Sequence, residues 1–318
     1  MAAIDKPLAP GSDSAAAAPL PFTGERFTPE CAREIWYEHW HRYQFVSALA
    51  RGKRVLDAAC GEGYGSALLA RTAASVTGID IAADAVEHAR ARYGTLANLR
   101  FDQGDCTALA FEPGSFDLIV SFETLEHVAA QQALVDGFAR ALTGNGLLVI
   151  SSPDKRTYSD ETGYRNEHHV HELYRDELLA LLHTRFPHVR LYGQKLLFQS
   201  AIWTEGQGGG TAAASTVTDG TPADGLGYDP LYFIALCSRQ PTDVELPAIS
   251  LFGDREESVY RHYNGEVRKN MAAGARLAEL EADLAAAKAE RDRLAAALGA
   301  SRPAGAARRW RNWFGPRK

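Results

Sequence analysis

Arg54-Val55-Leu56-Asp57-Ala58-Ala59-Cys60-Gly61-Glu62-Gly63-Tyr64-Gly65 runs a short apolar segment into an acidic residue and three alternating glycines. Val55 and Leu56 read as the end of a buried strand. Gly61, Gly63 and Gly65 permit a turn tight enough for backbone to touch a ligand, and Ser66 to Arg71 open a helix. Asp57 then stands at the strand's carboxyl end, where open α/β sheets bind ligands. A phosphate-cradling loop needs Gly-Lys-Ser or Gly-Lys-Thr, and a dinucleotide fingerprint spaces its glycines G-x-G-x-x-G; the spacing here is G-x-G-x-G. Carboxylates at Asp57 and Glu62 would repel a pyrophosphate and attract a cation, so the loop calls for a ligand with positive charge. A bare strand-to-helix turn with no ligand uses the same glycines, and three downstream features weigh against it.

Asp80 ends the apolar run Val76-Thr77-Gly78-Ile79, nineteen residues after Gly61, the distance at which dinucleotide folds place an acceptor for ribose hydroxyls. Asp105 follows Leu99 to Gly104 at the end of a third short strand, where a carboxylate can accept from an adenine amino group. Phe116 to Ser121 is a fourth buried strand running into Phe122-Glu123-Thr124-Leu125-Glu126-His127. Asp80 or Asp105 alone also suits a helix or turn cap. Strands near 54–57, 75–79, 99–101, 117–121 and 146–151 alternate with helices, the α/β signature, and 189–203 and 229–238 read as two further strands. Thr204 to Tyr228, rich in Gly, Ala, Thr and Asp, reads as a long flexible loop between them.

With these residues in place the chain resembles a class I S-adenosylmethionine-dependent methyltransferase over roughly residues 25–205 plus a last strand near 230–238. The resemblance implies a Rossmann-like, seven-stranded, mostly parallel sheet with helices on both faces. It also implies that Asp57, Gly61, Gly63 and Gly65 hold the methionine end of S-adenosyl-L-methionine, Asp80 the ribose, and Asp105 with Cys106 the adenine, while Glu123 to His127 approach the methyl group. A sulfonium cofactor accounts for an acidic loop.

A narrower resemblance rests on Ser151-Ser152-Pro153-Asp154-Lys155-Arg156-Thr157-Tyr158-Ser159 and on Asn166-Glu167-His168-His169-Val170-His171-Glu172-Leu173. These are similar to the S-P-x-K-x-x-Y-S and N-P-F-H-V-x-E-L segments of methyltransferases that accompany glycosyltransferases in bacterial surface-polysaccharide pathways. Thr23-Gly24-Glu25-Arg26-Phe27, Glu38-His39 and His41-Arg42-Tyr43 are similar to the same group. Asn166, His169, Val170, Glu172 and Leu173 match, while Glu167 and His168 replace the usual Pro and Phe, which leaves open whether His168 or His169 faces the acceptor.

A sugar hydroxyl is a poor nucleophile, so its proton must be taken at or before the transition state, and imidazole suits that work near neutrality. His169 is the expected base and His127 a positioning group. Asp154, Lys155, Tyr158, Asn166 and Glu172 can hydrogen-bond a sugar or sugar phosphate, although a turn cap explains Asp154 equally well. A metal site in His168-His169-x-His171-Glu172 ranks below the base, because adjacent loop histidines match no fixed ligand spacing, and no metal is expected. Ser121-Phe122-Glu123-Thr124 replaces the Asn/Asp-Pro-Pro-Tyr/Phe element of nucleic-acid amino methylation. With the net charge of −6, this argues against a nucleic-acid partner. Two alternatives remain: the same chemistry on a small non-carbohydrate metabolite or lipid, and a non-catalytic cofactor-binding scaffold for glycan assembly.

At 318 residues, 46% hydrophobic and 23% charged, the chain can bury one full core with residues to spare. Its four cysteines, at 31, 60, 106 and 237, are too scattered for a metal knuckle or a disulfide framework, pointing to a reducing, cytoplasmic setting. Residues 1–21, rich in Ala and Pro, read as a disordered leader with neither the basic start nor the apolar core of an export signal. Residues 22–240 form the expected methyltransferase domain, opened by an aromatic lid helix over 29–51. In that helix Trp36 and Phe45 read as packing, and Tyr37, His39 and His41 are the candidates to face a ligand. Residues 241–255 read as a linker. Residues 256–300 read as a polar, Ala-rich helix or short coiled coil, with Leu277, Leu284 and Leu298 at one heptad position and Leu280 and Leu294 at another. That segment is the expected surface for a second copy or a glycosyltransferase. Residues 302–318 hold six Arg or Lys and no acids, interleaved with Trp310, Trp313 and Phe314, which suits peripheral contact with an anionic membrane face.

Overall fold

The computed structural model describes residues 34–206 and 213–300. The expectations for the leader and the basic aromatic tail lie outside those residues. The strands β1 (Arg54–Ala58), β2 (Ser75–Asp80), β3 (Leu99–Gln103), β4 (Phe116–Ser121), β5 (Leu142–Pro153), β6 (His188–Gln194) and β9 (Tyr232–Ser238) form one sheet. Their order is β3-β2-β1-β4-β5-β9-β6. Every pairing from β3 through β5 is parallel, and β9 runs antiparallel to both its neighbours. This is the mostly parallel, seven-stranded, Rossmann-like architecture. The order reverses between β1 and β4, so the crevice at their carboxyl ends is the position where such sheets take ligands.

Alternation along the strands divides the core. Val55, Leu118, Val120, Leu147, Val149, Ile234 and Leu236 point to one face, against α1 (Glu34–Val46), α2 (Tyr64–Ala70) and α3 (Ala83–Tyr93). Leu56, Ile119, Leu148, Ile150, Phe233 and Ala235 point to the other, against α4 (Gln131–Ala141) and α5 (Arg175–His183). Successive residues of a strand point to opposite faces, so a strand covered on both sides must be apolar throughout; the central strands read that way and require helices on both faces.

Three organisational expectations change. Residues 204–228 are not featureless, because β7 (Ser215–Thr218) and β8 (Thr221–Asp224) pair as an antiparallel hairpin whose turn holds Asp219 and Gly220 at φ 50° and 76°. The strand expected over 189–203 ends at Gln194, whose side chain is committed inward to Arg42 and to the Glu38 carbonyl. Residues 241–255 are part of the domain, not a linker. Leu246 is buried in the core, Ser250 shares a 2.9 Å hydrogen bond with His41 Nε2, and Phe252 packs on Trp36, Tyr37 and His41. Tyr37 and His41 contact this segment, and both line the cavity it forms with α1 and the end of β6. Burial, with the neighbouring Arg42 charge, pushes the His41 imidazole down to about 4.

Residues 256–300 belong to a separate unit dominated by α6 (Ser258–Ala300), in which Leu277, Leu280, Leu284, Leu294 and Leu298 are all exposed. The helix is as expected; a coiled coil is a property of two helices, and this chain shows one. Among the described residues no helix is long and apolar enough to cross a membrane.

Candidate active site

The turn after β1 is held from below and from the side. Asp57 is 0% exposed and accepts from Ser66 Oγ at 2.6 Å and Tyr43 Oη at 3.0 Å. Asp80, at the end of β2, accepts from the Gly61 amide on one oxygen (2.8 Å) and from the Ala82 amide on the other (2.9 Å), tying the turn to the start of α3. The three glycines have different jobs. Gly61, at φ 54°, has open space where a Cβ would stand, so backbone there is approachable. Gly63, at φ 89°, would press a Cβ against the Phe101 ring at 2.6 Å, and a Cβ on Gly65 would fall 2.1 Å from the Tyr43 ring. A side chain at Gly61 would meet nothing, while Gly63 and Gly65 admit the aromatic rings that brace the turn.

Glu62 does not serve the cation preference expected of it. It is fully buried and turned toward α3, with His88 Nε2 at 3.2 Å and Arg92 at 3.6 Å. Asp105 Oδ1 accepts from both the amide and the hydroxyl of Thr107, capping the short 3-10 helix Cys106–Ala108, so one of its two oxygens is engaged in the turn. Cys106 lies in the core, and burial pushes its thiol up to about 12.

At the end of β4 the backbone of Glu123 takes φ 51°, and that of Ala59 at the end of β1 takes φ 61°, both uncommon for residues with a side chain. Glu123 is held in that conformation by Ser151, whose hydroxyl donates to Oε1 at 2.6 Å and accepts from the Glu123 amide at 3.0 Å. Arg42 is 1% exposed. It reaches Glu123 at 3.5 Å, donates to Gln194 at 2.7 Å and lies over the Tyr232 ring at 4.5 Å. Arg42, Gln194 and Tyr232 come from α1, β6 and β9, and nothing local in their segments marks them as neighbours of Glu123.

The loop before α5 folds onto the end of β4. The Glu126 carbonyl accepts from the amides of Val170 (2.8 Å) and His171 (3.0 Å), and Gln131 donates to the carbonyls of Leu125 and His171. These bonds bring His169 edge-on to His127, with ring centroids 4.9 Å apart. His169 Nδ1 lies 2.5 Å from Glu172 Oε1, whose other oxygen accepts from Ser159, and its ring stacks on Tyr158. Tyr158 is hydrogen-bonded to Asn166, and burial pushes its phenol up to about 12. The two loop histidines differ in their surroundings. His169 joins the buried cluster, while His168 is partly exposed with Glu167 at 3.8 Å. Of the five residues expected to bind substrate, Tyr158, Asn166 and Glu172 converge on His169. Asp154 and Lys155 do not: Asp154, 2% exposed, accepts from the Arg156 amide as a turn cap, and Lys155 sits over the Tyr174 ring.

Open backbone at Gly61, flanked by carboxylates at the ends of β1, β2 and β4, fits a cationic adenosine cofactor and would repel a pyrophosphate. A sheet of this order with this crevice defines the class I methyltransferase fold. Residues 49–196 match the family described as "Methyltransferase domain". The Mycolicibacterium smegmatis protein named "Probable S-adenosylmethionine-dependent methyltransferase" is 35% identical over 175 residues, covering 54% of this chain and 67% of that one. "Probable S-adenosylmethionine-dependent methyltransferase MT3114" of Mycobacterium tuberculosis is 36% identical over 176 residues, 54% of this chain and 63% of its own length. The chain belongs to the S-adenosylmethionine-dependent methyltransferases, whose cofactor is S-adenosyl-L-methionine. It spans less than two thirds of the length of the M. tuberculosis relative. A ubiquinone biosynthesis O-methyltransferase of Xylella fastidiosa is 40% identical over 104 residues, covering 32% of this chain and 42% of its own.

Asp57 is expected to make cofactor binding sensitive to pH. Burial raises its carboxyl to about 6, against the hydrogen bonds from Ser66 and Tyr43, which lower it. An aspartate in the unfolded chain titrates near about 4, so between there and the raised value the folded chain keeps a proton the unfolded one has lost. The contribution to folding is therefore full below the lower value and lost as pH rises through the upper. A cationic ligand has the opposite sign, since it favours the carboxylate. The affinity for S-adenosylmethionine is expected to rise between about pH 5 and 7 and to flatten in Asp57→Asn, measured calorimetrically. Wild-type affinity that stays level over that range would show that Asp57 does not sense the cofactor.

Proposed function

We propose that this chain transfers the methyl group of S-adenosylmethionine to a hydroxyl of a sugar in a surface-glycan pathway. The carrying observation is the Glu172–His169–His127 arrangement at the carboxyl end of the sheet, beside the cofactor crevice. Glu172 takes the Nδ1 proton of His169 as a hydrogen bond, which leaves Nε2 as the lone-pair nitrogen and stabilises the imidazolium when Nε2 takes a proton from the acceptor. His127 is oriented by the His168 carbonyl, 3.1 Å from its Nδ1, and lines the same space. The cofactor supplies a methyl group on a sulfonium, which is already a good leaving group. The protein's work is therefore to hold the acceptor oxygen in line and accept its proton. Tyr158 and Asn166 beside His169 offer the hydroxyl and amide contacts a polyol needs, and the X. fastidiosa relative is named for transfer to oxygen.

The test uses S-adenosylmethionine carrying a labelled methyl group with two panels, nucleotide sugars and glycosides in one, small phenols and lipid alcohols in the other. Label in a sugar methyl ether is the expected result. Transfer confined to the second panel would overturn the sugar assignment while keeping transfer to oxygen. Cofactor binding with no transfer to either panel would favour a scaffold.

A further inference from the structure

We propose that Glu126, His127 and His169 form a binding site for one divalent transition-metal ion. The three residues each bring one ligand atom into a group lying within 4.8 Å of one another. Glu126 is 1% exposed, and its carboxylate oxygens have no hydrogen-bond partner on any other of the described residues, while His127 Nε2 stands 3.9 Å from Oε1. A buried carboxylate left without hydrogen bonds costs several kcal/mol unless it is protonated or paired, and a cation among these side chains removes the cost. The surrounding charge runs the same way. Glu123 and Glu172 stand close enough to add their negative charge to that of Glu126, with Arg42 as the positive charge facing it.

The histidines are already in the tautomer a metal requires. His127 Nδ1 faces the His168 carbonyl and His169 Nδ1 faces Glu172, both acceptors, so each ring carries its proton on Nδ1 and its lone pair on Nε2. A carboxylate or carbonyl behind a histidine is the outer arrangement that orients metal ligands and raises their basicity. Two imidazoles and one carboxylate select ions such as Mn2+, Fe2+, Co2+ and Zn2+ over Mg2+, which prefers oxygen. The sequence-based ranking against a metal considered only residues 168–172. The ligand set joins one of those to two residues more than forty positions earlier, a juxtaposition made by the amides of Val170 and His171 on the Glu126 carbonyl.

The binding claim stands apart from the acceptor; its consequence for the reaction rests on the function proposed above. Nε2 of His169 has a single lone pair, so a bound ion displaces its role as proton acceptor. An acceptor hydroxyl coordinated to the ion becomes more acidic and loses its proton to solvent, and its oxygen forms the bond to the methyl carbon as the carbon–sulfur bond breaks.

The experiment titrates the metal-depleted full chain with Co2+, followed by visible absorption, and with Mn2+, Zn2+ and Mg2+ by calorimetry, without acceptor. Binding of S-adenosylmethionine to the same samples reports folding. One equivalent of Co2+ is expected, with affinity falling at least about tenfold in Glu126→Gln and about 10- to 100-fold in Glu172→Gln, and cofactor binding retained in both. Absence of saturable Co2+, Mn2+ and Zn2+ binding below millimolar concentration would overturn the site, as would binding unchanged in a folded Glu126→Gln. Neither result would touch methyl transfer from a metal-free chain, which the labelled-methyl assay reads separately.

Discussion

Asp80→Ala is expected to lower S-adenosylmethionine affinity by about 100-fold or more while the chain stays folded. Asp80 is a single side chain with two structural duties: one oxygen fixes the Gly61 amide in the turn that approaches the ligand, and the other fixes the Ala82 amide at the start of α3. Hydrogen bonds to a charged acceptor are worth about 1.5–3 kcal/mol each, and a loss of about 1.4 kcal/mol is tenfold in affinity. The family resemblance adds the ribose as a further partner. Asp80→Asn keeps an acceptor oxygen and should lose less. Calorimetric titration beside a thermal melt separates binding from folding. Wild-type affinity in Asp80→Ala would remove Asp80 from the cofactor site, and a well-folded wild type that binds no cofactor would leave the crevice without its ligand.

The second large effect is on turnover. His169→Ala is expected to reduce kcat by about 10²- to 10⁴-fold, the usual range for removing a general base, with cofactor affinity unchanged. Glu172→Gln should fall between the two, because the imidazole stays but loses the carboxylate 2.5 Å from its Nδ1. His168→Ala, altering the partly exposed neighbour paired with Glu167, should change turnover little. Single-turnover measurements with saturating cofactor keep chemistry apart from binding. Near-normal turnover in His169→Ala with cofactor binding intact would reject the base assignment.

Legibility followed range along the chain. Asp57, Asp80 and Glu123 could be placed at strand ends because each closes an apolar run of strand length, and that is a local pattern. The same pattern points Asp105 and Glu62 toward the ligand; in the structure one oxygen of Asp105 caps a turn, and Glu62 faces His88. A carboxylate at a strand end has several partners within reach, and spacing cannot choose among them. Asp154 went astray in the same way. Nothing local marks the parts played by Arg42 and Glu126, because these lie in burial without enough local partners, which depends on what α1, β6, β9 and the 166–171 loop bring to them.

The order of apolar runs and breakers by itself determined an alternating α/β chain, a cofactor crevice at the carboxyl ends of its first strands, and a polar, Ala-rich helix over 256–300. These follow from periodicity and from the backbone freedom of glycine, which act over a few residues. Only tertiary structure decided that His169, and not His168, meets His127 and Glu172, and that Gly63 and Gly65 make room for aromatic rings. It also decided that 241–255 packs on α1 and that Glu126 meets two histidines. Those outcomes depend on which distant hydrogen bonds and burial costs can be satisfied together, a condition set by the folded chain as a whole.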